Sequence, residues 1–137
     1  DLYGPHYLAD LLHALRYARA DVVGKHCRFV HLAARHTTTL VQEANEHRYT
    51  GFVAGPTLTA RREVFREHPF ASLTVGEDSD FLARAQAGGV RIYAADRYNF
   101  VQVRSGASGE HTWQADDDTY FSGGRRVAGL PLDAMMI

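Results

Sequence analysis

Gly76-Glu77-Asp78-Ser79-Asp80-Phe81 places three carboxylates within four positions at the start of an apolar-periodic segment. Phe81, Leu82 and Ala85 then recur at helical spacing, and Gly88-Gly89 ends the pattern. The sequence therefore predicts a helix whose first turn carries the acidic cluster. Because the backbone of a first turn holds a carboxylate on a rigid element, we expect any chemistry of this chain to occur there.

These carboxylates also have structural interpretations, because acidic residues are favoured at helix N-termini by the macrodipole and by free backbone N–H groups. Thr74-Val75-Gly76-Glu77 matches a capping box. Asp80 and Arg84 are four residues apart, a spacing that gives a solvated ion pair worth roughly 0.3–0.5 kcal/mol. Asp78 has no such structural role. The local pattern alone nevertheless favours structure over catalysis, since clustered carboxylates mark sites only statistically.

Chain length, composition, net charge and cysteine count limit the classes of protein to which this sequence can belong. At 137 residues the chain suits one domain, 1–137, and 45% hydrophobic content argues against disorder. A formal net charge of −1 lacks the basic excess of a nucleic-acid binder. The single cysteine, Cys27, forms neither an intrachain disulfide nor a multi-thiolate metal site, and we expect it in the core.

Two further features of the sequence concern the cellular location of the protein and the extent of the chain. No apolar run approaches the ~20 residues that span a bilayer, and no N-terminal segment resembles a signal peptide, which predicts a cytoplasmic protein without a transmembrane segment. The chain starts at Asp1 and enters a helix almost at once. We therefore expect the sequence to be a piece of something longer.

The remaining periodicities predict an α/β fold in which helices flank a mixed sheet. A helix over residues 5–20 should dock through a leucine face made by Leu8, Leu11, Leu12 and Leu15. Strands are predicted near residues 21–24, 27–32, 37–42, 49–53, 90–94 and 99–104.

Connections follow from turn signals. The polar turn 43–48 predicts a hairpin between strands 37–42 and 49–53. Thr59 can cap a short helix through Phe65, and Pro69 ends it. Residues 113–137 show weak periodicity and are expected to form an irregular tail.

Other residues suggest binding sites. The eight histidines lack paired ligand spacing, but His111 follows the glycine-rich segment 105–109, where a mobile loop could close over a ligand. Asp116-Asp117-Asp118 suits a divalent cation, although a solvated acidic turn explains it better. Arg104, at a strand end, could grip a phosphate or pair with Glu110.

Several of these motifs, in this order, match a known pattern. The run Asp1-Leu2-Tyr3-Gly4-Pro5-His6-Tyr7-Leu8, the stretch 76–81, Arg104 and His111-Thr112-Trp113 together resemble the C-terminal half of bacterial family 2 glycosyltransferases. The resemblance extends from Asp1 to about Trp113. It implies a GT-A fold, in which a nucleotide-binding half precedes an acidic metal motif and an acceptor-binding half. The present sequence would be a partial GT-A fold that lacks the nucleotide-binding half.

The resemblance also implies roles for the acidic residues. Asp78 matches the general base of the inverting enzymes, and Glu77 is its usual neighbour in the substrate-binding motif. Asp1 matches the last aspartate of the metal motif, whose divalent cation, Mn²⁺ or Mg²⁺, offsets charge on the leaving nucleotide. The implied partners are a nucleotide-diphosphate sugar and a hydroxyl-bearing acceptor.

Three residues near the end of the resemblance complete the set. His111 matches a histidine that helps to hold the metal or the diphosphate. Arg104 belongs to the matched motifs on the substrate side, and Trp113 could stack on a sugar or serve as an anchor.

Two hypotheses follow. In the first, the chain is the acceptor-side portion of an inverting, metal-dependent glycosyltransferase. In the second, it is a non-catalytic carbohydrate-binding or protein-interaction module on an enzyme-derived scaffold, which the missing donor half favours for the chain alone. Strands left without the missing half would expose a sheet edge and apolar surface, so the chain is also expected to self-associate.

Overall fold

The computed structural model describes residues 1–105, 120, 123–127 and 136. In chain order the elements of this part are β1 (Leu2–Tyr3), α1 (Tyr7–Tyr17), β2 (Val22–Gly24), β3 (Arg28–Leu32), β4 (Thr37–Val41), β5 (Arg48–Tyr49), β6 (Thr59–Ala60), α2 (Arg62–Glu67), α3 (Glu77–Ala87), β7 (Ile92–Ala94), β8 (Phe100–Arg104) and β9 (Gly124–Val127). Short 3₁₀ turns occupy Ala33–Arg35 and Gly55–Thr57.

The strands form two mixed sheets, which confirms the α/β class but replaces the single sheet predicted from sequence. One sheet has five strands in the order β1-β8-β3-β4-β9, and the other has four in the order β5-β7-β2-β6. Each contains one parallel pair, β3 with β8 and β2 with β7, and its other pairs are antiparallel. Parallel neighbours need long crossover connections, and here helices α2 and α3 lie within those connections.

The four-stranded sheet is covered on both faces because its side chains alternate. Val23 and Tyr93 pack in one cluster with the inner face of α1. Val22 and Ile92 pack in another with residues of α2 and α3, among them Phe81. Burial on both faces explains why β2 and β7 are apolar throughout rather than alternating with polar residues.

Helix α1 buries only part of the leucine face predicted for it. Leu11 and Leu15 are buried, but Leu8 is 65% and Leu12 is 51% exposed. Tyr7, Ala14 and Ala18 complete the packed face instead. The helix is also shorter than predicted, since it spans Tyr7–Tyr17 rather than residues 5–20.

The predicted hairpin between residues 37–42 and 49–53 is wrong. Strand β4 pairs with β3 through the tight turn Ala33–Arg35, while β5 joins β7 in the other sheet. The predicted and the observed partner of β4 both contain β-branched or aromatic residues. Strand propensity therefore does not show which of them pairs with β4.

The tail contains a strand, contrary to the irregular segment expected over 113–137. Gly124–Val127 forms β9, which pairs antiparallel with β4. Most of the remaining tail lies outside the described residues.

The structure also bears on two smaller predictions, the burial of Cys27 and the absence of a transmembrane helix. Cys27 is fully buried beside Phe29 and Leu40, as predicted for a core cysteine. None of the helices in the described part of the chain is long and apolar enough to cross a membrane.

Candidate functional site

Helix α3 begins at the acidic cluster, as the sequence predicts. Gly76 precedes it in the left-handed region with φ of 82°, a conformation that glycine adopts without strain. Its carbonyl accepts the first helical hydrogen bond, from the N–H of Asp80 at 2.9 Å. The predicted capping box is wrong: no side chain caps this N-terminus, and Glu77 is the first helical residue rather than the third.

Helical spacing separates the carboxylates onto different faces. Asp78 lies three and four residues before Phe81 and Leu82, which are buried, so its side chain shares their inward face. Asp80 lies on the outer side, where its Oδ2 accepts a hydrogen bond from Nε of Arg84 at 2.8 Å. The predicted ion pair is therefore confirmed, and Asp78 is the residue turned toward the interior.

The Asp78 carboxylate is seated against the loop that carries Gly55. A methyl group at Gly55 would overlap Oδ2 of Asp78. The other oxygen, Oδ1, accepts a hydrogen bond from the backbone N–H of Ser79 at 2.9 Å. The carboxylate is half-buried, oriented by its own helix, and separated from the loop only because residue 55 has no side chain.

A cleft of about 550 Å³ lies between this first turn and the five-stranded sheet. It brings together four of the residues predicted from sequence: Asp1, Glu77, Asp78 and Arg104. The described residues that line it are Asp1, Arg28, Phe52, Ala54, Gly55, Pro56, Val75, Gly76, Glu77, Asp78, Ser79, Gln102, Val103, Arg104 and Tyr120. The carboxylates of Glu77 and Asp78 thus lie on the helix side, and the guanidinium groups of Arg28 and Arg104 lie on the sheet side.

Arg104 ends β8 and is only 6% exposed. Its guanidinium carbon lies 5.1 Å from the centroid of the Tyr120 ring, a distance at which the ring face attracts a cation. This contact fixes a long, flexible side chain at the cleft wall.

Arg28 is a site residue that sequence reasoning missed. It begins β3 and is 8% exposed, and the β3–β8 register puts it on the same sheet face as Gln102 and Arg104. Burial lowers the pKa of its guanidinium, which nevertheless remains a cation at neutral pH. A charged residue between Cys27 and Phe29, on the strand face shared with Val30, is the signal that could have identified it.

Asp1 lies at the margin of the cleft. Its Oδ1 accepts a hydrogen bond from the backbone N–H of Val103 at 3.0 Å, which ties the chain start to β8. Within the described residues, no three His, Cys, Asp or Glu side chains are grouped as metal ligands. The divalent cation that the resemblance implies therefore stays a prediction.

A second cavity of about 370 Å³ adjoins the first. The two share Gly55, Pro56, Glu77 and Asp78, so the Asp78 carboxylate lies at their junction. The second cavity is otherwise apolar, lined by Leu58, Phe65 and Phe70.

Two predicted site residues, His111 and Trp113, lie outside the described residues, as does the acidic run Asp116-Asp117-Asp118. Their proximity to the cleft stays a prediction. Comparison of the chain with models of protein families, with curated proteins and with solved structures found no match.

Proposed function

We propose that this chain is the acceptor-side portion of an inverting glycosyltransferase with a GT-A fold, which transfers a sugar from a nucleotide-diphosphate sugar to an acceptor hydroxyl. The observation that carries the proposal is the position of Asp78. Unlike Asp80, which pairs with Arg84 outside the cleft, it lies on the buried side of α3 and lines the same cleft as Arg104. The motif resemblance supplies the reaction class.

Asp78 acts as the general base. It takes the proton from the acceptor hydroxyl while that oxygen forms a bond to the anomeric carbon, and the bond from that carbon to the diphosphate oxygen breaks on the opposite face. The hydrogen bond from the Ser79 N–H to Oδ1 leaves Oδ2 on the side of Gly55.

The opposite wall suits the leaving group. An inverting displacement requires the base and the leaving diphosphate on opposite sides of the transferred sugar. Arg104 faces the cleft from β8, where a guanidinium can bind phosphoryl oxygens in bidentate fashion. Glu77, beside Asp78, can accept hydrogen bonds from sugar hydroxyls.

The test measures release of nucleoside diphosphate from a panel of nucleotide sugars, with Mn²⁺ and hydroxyl-bearing acceptors. The full-length gene product is used, because enzymes of the resembled family carry a separate nucleotide-binding half. Asp78→Asn should lower turnover by about 10²- to 10⁴-fold, the usual contribution of a general base. Donor affinity should stay nearly unchanged.

Asp80→Asn is the matched control. It makes the same change two residues away in the same helix, but Asp80 pairs with Arg84 outside the cleft. Its turnover should stay within about threefold of the wild type. Equal turnover of the Asp78→Asn variant and the wild type would remove Asp78 from the mechanism. Binding of saccharides without turnover of any nucleotide sugar would favour the non-catalytic module.

A further inference from the structure

Arg28 is a buried cation whose partners among the described residues are all neutral. Its Nε–H donates to Oε1 of Gln102 at 2.8 Å, and its Nη1 donates to the carbonyl oxygen of His26 at 3.0 Å. The Tyr120 side chain lies beside it. None of the ion pairs within residues 1–105 and 123–127 includes Arg28.

Burial of a charge without a counter-charge is costly, because neutral hydrogen bonds replace only part of the lost hydration. Lys25, another buried cation, shows the usual solution, because it lies 3.1 Å from a carboxylate oxygen of Asp96. Arg28 differs because it lines a cleft rather than a closed core. The counter-charge that the described residues do not supply can therefore arrive with a ligand.

The neighbouring side chains indicate which anion fits. Gln102 lies two residues before Arg104 on β8, so the two side chains share the sheet face that Arg28 faces. Gln102 fixes the guanidinium plane of Arg28 through its Nε. Two oriented, largely desolvated guanidinium groups at one wall match a tetrahedral phosphoryl group, which accepts several forked hydrogen bonds at once.

We infer that Arg28, oriented by Gln102, forms with Arg104 a phosphoryl-binding subsite on the sheet wall of the cleft. The ligand chemistry is a phosphate ester or diphosphate, carried either by a nucleotide donor or by a phosphorylated acceptor. This subsite deepens the proposed function by assigning Arg28 and Gln102 to ligand binding. The contacts that support this subsite, and the binding experiment that tests it, do not depend on turnover of a nucleotide sugar.

The test titrates the 137-residue chain with inorganic pyrophosphate by isothermal calorimetry. The wild type should bind saturably, with an affinity that falls as salt rises. Arg28→Gln should weaken binding by about 10- to 100-fold, the value of charge-assisted hydrogen bonds. Arg28→Lys keeps the charge but loses the paired N–H donors of the guanidinium. Its pyrophosphate affinity should lie between those of the wild type and Arg28→Gln.

Arg125→Gln is the matched control. It removes the same charge from an exposed arginine of β9, which pairs with Glu43. Its pyrophosphate affinity should equal that of the wild type. Absence of saturable binding, or an equal loss in Arg28→Gln and Arg125→Gln, would overturn the subsite.

A second variant guards against misfolding. Gln102→Glu keeps the shape of the side chain and supplies Arg28 with a carboxylate in place. It should preserve or raise the thermal midpoint while it lowers pyrophosphate affinity at least as much as Arg28→Gln does. Unchanged affinity in a folded Gln102→Glu variant would contradict the proposal.

Competition identifies the source of the phosphoryl group. Uridine diphosphate represents the donor, glycerol 3-phosphate represents an acceptor, and displacement of pyrophosphate by either supports the subsite, while displacement by neither opposes it. Asp78→Asn should bind pyrophosphate at least as well as the wild type, because it removes a negative charge from the facing wall. Failure of the general-base proposal and failure of the subsite are therefore distinguishable.

Discussion

Gly55 lies directly against the Asp78 carboxylate, and a single methyl group at residue 55 would occupy the place of Oδ2. The backbone does not require glycine here, because Gly55 is absent from the glycines of positive φ among the described residues. The requirement comes from the carboxylate above it. Gly55 thus couples the loop between β5 and β6 to the first turn of α3.

Gly55→Ala should therefore displace the Asp78 side chain while the fold persists. We expect a free energy of unfolding within about 1 kcal/mol of the wild type, since the residue lies in an accessible turn. Nucleoside diphosphate release should fall at least about tenfold, because a displaced base loses its alignment with the acceptor. Gly51→Ala is the control: its methyl group meets only the flexible end of Gln86, at 3.1 Å. Equal activity of the two variants would show that the Gly55 contact is unimportant.

The packing of α1 predicts how much its exposed and buried leucines contribute to the free energy of unfolding. Leu8→Gln and Leu12→Gln should change the free energy of unfolding by no more than about 0.5 kcal/mol, whereas Leu11→Ala should cost about 2–5 kcal/mol. Chemical denaturation measures both. If the chain self-associates through this surface, light scattering should also show a smaller species for the glutamine variants. A large loss of stability in Leu8→Gln would contradict the packing of α1.

The buried pair Lys25–Asp96 predicts asymmetric effects of removing either partner. Asp96→Asn leaves the ammonium buried without its counter-charge and should cost about 3 kcal/mol. Lys25→Met should cost less, because the Asp96 side chain that it leaves unpaired is 27% exposed to water. Burial lowers the pKa of Lys25 in the folded state. Between that pKa and 10.5 the unfolded chain binds more protons, so the Lys25 contribution to stability rises with pH. The difference in unfolding free energy between the wild type and Lys25→Met, measured from pH 7 to 10, checks the sign.

Cys27 has the opposite pH dependence. Burial raises the pKa of its thiol to about 11 from its ordinary value of 9.0. The unfolded chain therefore releases the proton first, and the stability that Cys27 contributes is lost as pH rises from about 9 to about 11. Urea denaturation across this range should show a flatter decline for Cys27→Ala than for the wild type, whatever its absolute stability. Parallel declines would contradict the assignment.

Local periodicity was enough to predict α3 and its Asp80–Arg84 ion pair, whereas the capping role predicted for Glu77 was wrong. Phe81, Leu82 and Ala85 define the buried side, and the three- and four-residue spacing then turns Asp78 inward and Asp80 toward Arg84. The strand that contains Arg104 was also predicted, because its residues have strong β-propensity.

Pairings between distant segments were not predictable in the same way. The partner of β4 depends on which strands the rest of the fold places beside it, and the turn Ala33–Arg35 carries no strong hairpin signal. Arg28 was missed for a related reason. Its place between Cys27 and Phe29 was a signal, but an arginine in a strand is normally solvated. The β3–β8 register is needed to show that its side chain enters a cleft.

The parallel pair at the centre of each sheet sets the order of events during synthesis. Val22 pairs with Ile92 and Phe29 with Val101, so both central ladders join segments about 70 residues apart in a chain of 137. Loop closure on this scale slows folding relative to helical proteins, whose contacts are mostly local. Neither sheet can be completed before β7 and β8 leave the ribosome. Until then the nascent chain exposes the apolar strands β2 and β3, and chaperones have their longest opportunity to bind it.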